Sequence, residues 1–156
     1  MSAHSFVLYR SETSLTPKSD VTRAMIGSAR RSNLEQSLTG FLHHDDGIFF
    51  HWLEGDGDSL SLTMGRIGRD PRHRNLATLA SGPLPQRRFP DCPMGYSTQS
   101  DYSLLRWMAD HAVTVREQSA YALALLSFLE ERAGAPGHCQ TGGQPSRSIW
   151  RAKASM

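Results

Sequence analysis

The chain has 156 residues, of which 38% are hydrophobic, with 17 Lys+Arg against 15 Asp+Glu. This length suits one domain with a proper core, and the net charge of +2 argues against nucleic-acid binding driven by bulk charge. No apolar run is long enough to span a membrane, and the N-terminus does not resemble a signal peptide. Two cysteines, Cys92 and Cys139, make no disulfide framework, so we expect a reduced, cytoplasmic protein.

The first half of the chain predicts strands and one helix. In chain order these are a strand over 6–10, a helix from Thr16-Pro17 to about Asn33, and strands over 38–44 and 48–54. Thr16 followed by Pro17 is typical of a helix N-terminus. Asp45-Asp46-Gly47 is a hairpin turn signal between the two later strands.

The second half continues with a helix, a loop and two short strands. They are a helix over about Asp58–Asp70, a strand over 76–80, a Pro- and Arg-rich loop over 82–93, and a strand around Met94–Ser97. The order βαββαβ plus one more strand implies an α+β, ferredoxin-like sheet with both helices on one face.

The strand over 48–54 is apolar on both faces. Ile48, Phe50 and Trp52 point one way, and Phe49, His51 and Leu53 point the other. The two helices cover one face, so the other face needs a separate cover. Two helical stripes supply it: Leu104, Leu105, Met108 and Ala112, then Tyr121, Leu125, Phe128 and Leu129.

We expect these C-terminal helices to dock on the back of the sheet or to pair with a second subunit, which would make a homo-oligomer. From Ala133 onward the chain is rich in Gly, Pro, Ser and Gln, which predicts a disordered tail that includes Trp150. The predicted organisation is therefore a domain over 1–100, a helical cap over 101–132 and a tail over 133–156.

Several short motifs follow one another along the predicted sheet domain. They are Leu8-Tyr9-Arg10-Ser11, Ser32-Asn33, Leu38-Thr39-Gly40, Phe50-His51-Trp52-Leu53-Glu54-Gly55, Arg66-Ile67, Asp70-Pro71-Arg72-His73, Arg88-Phe89 and Met94-Gly95. Each motif alone is weak, but their order and spacing resemble the BLUF family of blue-light-sensing flavin domains. The resemblance covers roughly the first two-thirds of the chain, an ordinary single-domain length.

This resemblance implies a cofactor and a photochemical mechanism. BLUF domains bind FAD non-covalently between the two helices of a ferredoxin-like sheet. Blue light drives electron and proton transfer from a strand-one tyrosine to the flavin, and an intervening glutamine then changes its hydrogen bonding. The change reaches protein partners through the last strand and the C-terminal helices.

Specific residues match the family's functional positions. Tyr9 matches the photochemical tyrosine, Asn33 the asparagine that hydrogen-bonds the flavin's polar edge, and Met94 a methionine near the flavin. The segment that handles the ribityl and phosphate groups is matched by Arg66, Asp70, Arg72 and His73. The alternatives are structural: a packed tyrosine, a helix C-cap for Asn33, a core methionine and ordinary surface charge.

Two positions depart from the family pattern. His51 occupies the position of the signature glutamine, and Cys92 occupies a position often held by tryptophan. An imidazole has one donor and one acceptor in a rigid ring, whereas the family's switch uses an amide that can rotate or tautomerise. The resemblance therefore predicts that flavin binding survives and that photoswitching is altered.

Other constellations are weaker. The cluster His43, His44, Asp45, Asp46 and His51 invites a metal interpretation, but adjacent strand residues face opposite ways and no zinc-site spacing is present. We expect no metal, no nucleic acid and no membrane contact. Neither cysteine has a nucleophile partner pattern, and no ordinary enzyme is expected.

The sequence therefore predicts an FAD-binding blue-light sensor that signals through an unknown protein partner. One alternative is a degenerate BLUF-fold adaptor that lacks flavin or photoactivity. Another is a flavin-based redox sensor. The colour of the purified protein separates the adaptor from the other two.

Overall fold

The computed structural model describes residues 4–111, 113 and 118–139. Its elements in chain order are β1 (His4–Glu12), α1 (Asp20–Glu35), β2 (Thr39–Asp45), β3 (Ile48–Asp56), α2 (Gly57–Arg69), β4 (Arg74–Leu84), β5 (Gly95–Thr98), α3 (Leu104–Asp110) and α4 (Gln118–Ala133). None of the helices within these residues is both long and apolar enough to cross a bilayer.

The five strands form one mixed sheet in the order β4-β1-β3-β2-β5. β1 runs antiparallel to both β3 and β4, and β5 lies parallel to β2 at the edge of the sheet. The predicted α+β, ferredoxin-like arrangement is confirmed. The hairpin between β2 and β3 turns at Asp46 and Gly47, whose φ angles of 48° and 77° both lie in the left-handed region that such tight turns need.

The sheet has a front face and a back face. We define the front face as the one that carries Tyr9, Phe49 and His51, with α1 and α2 packed on it. The back face carries Phe50 and Trp52. Alternation along β3 separates these two sets, as the sequence predicted.

The predicted cover of the back face by the C-terminal helices is confirmed. The back core joins Leu8, Phe41, Phe50 and Trp52 of the sheet to Leu104, Trp107, Leu125, Phe128 and Leu129 of the helices. One predicted contact is wrong, because Leu105 is 78% exposed and Trp107 takes the buried position on α3 instead. Ala112 lies outside the described residues.

Several predicted boundaries shift. The first helix starts at Asp20 and not at Pro17, because the side chain of Ser19 is the one that accepts the amide hydrogen bond of Thr22. It also continues two residues past Asn33, so Asn33 is not its C-cap. β4 extends six residues beyond the predicted strand in total, because its whole length pairs with β1.

Part of the predicted tail is folded. Ala133 is the last residue of α4, and residues 134–139 form turns after it. The backbone carbonyl of His138 accepts a hydrogen bond from the Tyr96 amide at 3.0 Å. Residues 140–156, which include Trp150, lie outside the described part of the chain.

Candidate functional site

A cavity of about 190 Å³ lies on the front face between α1 and α2. We call it the front cavity. Its apolar walls come from both helices and from the sheet, and its polar groups come from β1, β3 and the end of α2. The lining residues include Met25, Ala29, Leu42, Ile67 and Met94 among the apolar ones, and Tyr9, His51, Arg66, Asp70, Arg72 and His73 among the polar ones.

Tyr9 and His51 form a buried hydrogen-bonded pair at the wall of this cavity. They face each other across the register of β1 and β3, and the Tyr9 hydroxyl lies 2.8 Å from Nδ1 of His51. Tyr9 is 1% exposed and His51 is 3% exposed. Burial, with a smaller contribution from Asp70, raises the pKa of Tyr9 above its usual value. Burial, helped by the neighbouring His73, lowers the pKa of His51 to about 3, so the imidazole is neutral near pH 7.

The other ring nitrogen of His51, Nε2, is buried and makes no hydrogen bond within the described residues. The tautomer follows from counting protons, since Nδ1 of His51 is the one hydrogen-bond partner of the Tyr9 hydroxyl in that part of the chain. If Nδ1 accepts from Tyr9, only the Nε2 proton is unpaired; the opposite tautomer would leave two groups unpaired. Nε2–H is therefore an unused donor at a cavity wall.

Charged groups lie at the mouth of the cavity. Arg66 reaches from α2 to α1, with an Nη atom 3.0 Å from the hydroxyl of Ser32. Asp70 holds Arg72 through contacts of 2.6–3.0 Å, which lower the pKa of the carboxyl and raise that of the guanidinium. His73 is half-buried beside them, and its Nδ1 lies 2.8 Å from the hydroxyl of Ser11. Burial lowers the pKa of His73.

Met94 and Asn33 differ in whether they line the front cavity. Met94 lines the front cavity, as predicted. Asn33 is 3% exposed and is not among the residues that line the cavity. Its amide nitrogen donates to the carbonyl of Pro93 at 2.7 Å, so the side chain fastens α1 to the loop that precedes β5. The structure therefore brings together seven of the eight predicted site residues and leaves Asn33 behind them.

The sequence did not predict the buried carboxylate of Glu54 on the back face. Glu54 is 0% exposed and accepts four hydrogen bonds of 2.8–2.9 Å. The donors are the side chains of Thr39 and Trp52 and the backbone amides of Arg88 and Phe89. The signal was a glutamate in an otherwise apolar strand, which requires buried partners. Glu54 fixes the loop that leads to Met94.

The expectation of reduced cysteines is contradicted. Cys92 and Cys139 form a disulfide, with their Cα atoms 5.1 Å apart. Their separation of 47 residues gave no pairing signal. The bond becomes possible because α4 returns across the back face and brings the segment after it beside the loop that precedes β5.

The histidines of β2 do not assemble a metal site. His43 packs against Phe128 on the back face, whereas His44 packs against Phe49 on the front face. The predicted separation of these two side chains is confirmed. Across residues 4–111, 113 and 118–139, no group of three or more His, Cys, Asp and Glu side chains is placed to hold an ion.

A ferredoxin-like sheet with a cavity between its two front helices, and a paired phenol and imidazole in that cavity's wall, is an arrangement that can hold a small molecule. A family model described as "BLUF: Sensors of blue-light using FAD" matches residues 5–95. The match covers more than half of the chain, so the chain belongs to the BLUF family. BLUF domains are flavin-binding sensor modules and not enzymes.

Individual relatives agree with this assignment. The photoactivated adenylate cyclase subunit beta of Euglena gracilis is 38% identical over 86 residues, which are 50% of this chain and 10% of that protein. The blue light- and temperature-regulated antirepressor BluF of Escherichia coli (strain K12) is 35% identical over 65 residues, which are 42% of this chain and 16% of that protein. The chain therefore spans only a small part of the length of these relatives.

A solved structure matches over a larger share. The dark-state structure of BlrB, described as a BLUF protein, superposes with a TM-score of 0.66 at 25% identity, and the match covers 83% of this chain and 99% of that one. The similarity to a BLUF structure therefore extends beyond the residues that the family model matches.

The front cavity suits the ring system of a flavin. Its walls are apolar on both sides, from Met25 and Ala29 on one helix and Ile67 on the other, which fits a flat aromatic ring. The unpaired Nε2–H of His51 offers a hydrogen bond to a ring acceptor. Arg66 and Arg72 at the mouth suit a phosphate.

Proposed function

We propose that this protein is an FAD-binding blue-light sensor that signals through protein–protein contact, and that His51, in the place of the family's signature glutamine, alters its photoswitching. The observation that carries the proposal is the Tyr9–His51 pair. Its hydrogen bond of 2.8 Å uses Nδ1 of His51 and leaves Nε2–H, at the cavity wall, unpaired among the described residues. The proposed flavin-binding domain is 1–100, with 101–132 as its helical cap.

Three features support FAD in particular. The cavity volume of about 190 Å³ is below the roughly 300–1,000 Å³ usual for ligand pockets, so it suits a ring system with the remainder of the cofactor outside. That remainder would extend past Arg66 and Arg72, whose guanidinium groups match phosphate oxygens. Met94 and Leu42 give the ring a dry contact from the sheet side.

Bound flavin supplies blue-light absorption, an electron acceptor and a proton acceptor. With flavin bound, Tyr9 would be the electron donor, and Nδ1 of His51 is placed to take the hydroxyl proton along the existing hydrogen bond. Nε2–H of His51 would be the proton donor on the cavity side, so the flavin would accept one electron and one proton and the imidazole would change tautomer without rotating. Burial of both side chains keeps water from competing for these protons.

The same geometry explains why the switch should be altered. The return path uses the same two nitrogens in reverse order, and it restores the starting tautomer with no side-chain movement. A glutamine amide can instead exchange its oxygen and nitrogen ends and remain exchanged. The His51 ring is fixed at the edge of the Tyr9 ring, with centroids 5.2 Å apart, and a flip is hindered in a packed strand face. We therefore expect light to produce a short-lived state without a lasting red shift.

A light-minus-dark absorption spectrum of wild type beside His51→Gln tests this function. We expect yellow protein in both, no lasting red shift in wild type, and a reversible red shift in His51→Gln. FAD released by heat and identified by chromatography establishes the cofactor. A normal, reversible red shift in wild type refutes the role given to His51. Protein that stays colourless after refolding with excess FAD refutes flavin binding and leaves the adaptor function.

The redox-sensor alternative depends on a protonated His51, which would stabilise reduced, anionic flavin. Burial lowers the pKa of His51 to about 3, so the imidazole remains neutral at physiological pH. This favours light over flavin redox state as the input. The partner is a protein effector by analogy with the relatives, one of which is an adenylate cyclase subunit and another an antirepressor.

A further inference from the structure

The Cys92–Cys139 disulfide connects two parts of the chain that the sensor function leaves unexplained. Cys92 lies in the loop before β5 and is 3% exposed. Cys139 lies in the segment after α4, which we call the return segment (residues 134–139), and it is only half-buried. A cavity of about 160 Å³ opens beside the bond and is lined in part by Phe89, Glu130 and Gly134.

We propose that Cys92–Cys139 is a redox-active disulfide, whose reduction by a dithiol releases the return segment from the edge strand β5. Attack at Cys139 is favoured because that residue is half-buried, whereas Cys92 is 3% exposed. A reductant thiolate attacks Sγ of Cys139, the bond between the two protein sulfurs breaks, and Cys92 leaves as a thiolate that takes up a proton. The second thiol of the reductant then displaces Cys139. The protein gains two electrons and two protons, and the reductant becomes a disulfide.

Besides the disulfide, the return segment is held mainly through His138, whose Nδ1 lies 3.0 Å from the carbonyl of Arg132 in α4. His138 accepts the Tyr96 amide hydrogen bond at 3.0 Å, and its ring lies 3.6 Å from a carboxylate oxygen of exposed Asp101. Its ring meets Phe41 edge-on at a centroid distance of 6.4 Å. A segment with so few buried apolar contacts opens at low free-energy cost once its covalent tie is cut.

Release would uncover the edge of the sheet. β5 has four residues and pairs with β2 on one side only, and His138 covers the Tyr96 amide on the other side. The oxidised form therefore protects an edge amide that the reduced form leaves open to solvent.

The bond also lies close to the front cavity along the backbone. The carbonyl of Cys92 accepts from the Gly40 amide of β2 at 2.8 Å, and the carbonyl of Pro93 accepts from the Asn33 side chain. The next residue, Met94, lines the cavity. The disulfide and the light-sensing site therefore act on one loop, which gives the protein two inputs to β5. The thiol chemistry itself does not depend on flavin binding.

Thiol alkylation of the native, air-oxidised full-length protein tests the chemistry. We expect no alkylation before reduction, and two alkylated cysteines by mass spectrometry after native treatment with dithiothreitol. Hydrogen exchange then tests the release: the Tyr96 amide should exchange at least tenfold faster after reduction, whereas amides of the β2–β3 pairing stay unchanged. Cys139→Ser under oxidising conditions should reproduce the fast exchange, and Ser127→Ala, on the exposed side of α4, should behave as oxidised wild type.

Each contrary result overturns the proposal. Free thiols in the air-oxidised protein would show that the disulfide does not form. A bond that reduces only after denaturation is structural and not redox-active. Unchanged Tyr96 exchange after reduction, or slow exchange in Cys139→Ser, means that the return segment does not depend on the bond.

Discussion

The buried histidines on the two faces of the sheet differ in how many of their ring nitrogens are hydrogen-bonded. His43 on the back face uses both ring nitrogens, with Nδ1 2.7 Å from the Ser97 hydroxyl and Nε2 3.1 Å from the Asp45 carboxylate. Among the described residues, His51 on the front face has a hydrogen-bond partner at Nδ1 alone, and so does His44 on the same face. The fully paired histidine therefore lies on the face that packs against α3 and α4, and His51, with its unpaired nitrogen, lies at the wall of the front cavity.

Apolar packing follows the same division. The back core is continuous, and Phe128 and Leu129 of α4 are both 0% exposed. The front helices instead leave the front cavity between them, over Tyr9 and His51. The back face should therefore determine stability, and the front face should determine photochemistry.

Truncation after Ser100 should have the largest effect, because it removes α3 and α4 and exposes the back core. Leu8, Phe41 and Trp52 would become solvent-exposed in one contiguous patch. We expect aggregated protein without cooperative unfolding, as measured by size-exclusion chromatography and thermal denaturation. Truncation after Cys139 keeps both helices and the disulfide and is the matched control. A monomeric, equally stable protein ending at Ser100 would show that the front half folds alone.

Alanine substitution of the two histidines compares the faces directly. His43→Ala removes the partner of Ser97 and one of the two partners of Asp45, which keeps the Leu104 amide, and it opens a void beside Phe128, so we expect a loss of about 2–4 kcal/mol in the free energy of unfolding. His51→Ala loses one hydrogen bond beside an existing cavity and should cost about 1–2 kcal/mol. Urea denaturation measures both. Equal losses would mean that the front face is as tightly packed as the back.

Cofactor affinity should respond to the cavity mouth alone. Arg72→Ala removes a guanidinium and leaves Asp70 without its ion-pair partner, and we expect FAD binding to weaken by about 1.5–3 kcal/mol. Arg69→Ala, at the last residue of α2 and not lining the cavity, is the charge-matched control and should bind as wild type. Fluorescence titration measures the affinities. If both variants weaken binding equally, only net charge matters.

Acid should destabilise the protein through the front-face histidines. Burial lowers the pKa of His51 to about 3 and that of His44 to about 4, whereas both take up protons near pH 6.5 in the unfolded chain. Between these values the unfolded state binds more protons, so stability is complete above pH 6.5 and falls as the pH drops. His51→Gln should make the slope shallower by up to about 1.4 kcal/mol per pH unit. Urea denaturation at pH 6.5 and 5, above the carboxylate range, measures it; parallel slopes would contradict the depressed pKa of His51.

The sequence predicted the sheet, both front helices and the helical cover of the back face, because each depends on a local period. Alternation along β3 placed Trp52 and His51 on opposite faces, and apolar stripes identified α3 and α4. The register of Trp107 was missed, because a short helix has too few turns to define its buried side from sequence. Helix ends were missed where a neighbouring serine, Ser19, was the better cap.

The site was predicted through the family resemblance more than through physical pattern. Strand alternation put Tyr9 and His51 on the buried sheet, but only the pairing register brings them to 2.8 Å. The role of Asn33 at the flavin stays a prediction, and its amide nitrogen donates to the Pro93 carbonyl in the loop before β5. The disulfide depends on contacts between segments 47 residues apart, and no local pattern encodes such a contact.

The buried carboxylate of Glu54 has a consequence for how this domain tolerates mutation. All four of its partners are donors, so the site requires a side chain that only accepts. Glutamine has almost the same shape, yet its NH₂ group would face backbone amides that cannot reverse direction. Aspartate is one methylene too short to reach the loop. In a library of all single substitutions, position 54 should therefore be among the least permissive, although it lies on the opposite face from the proposed photochemistry.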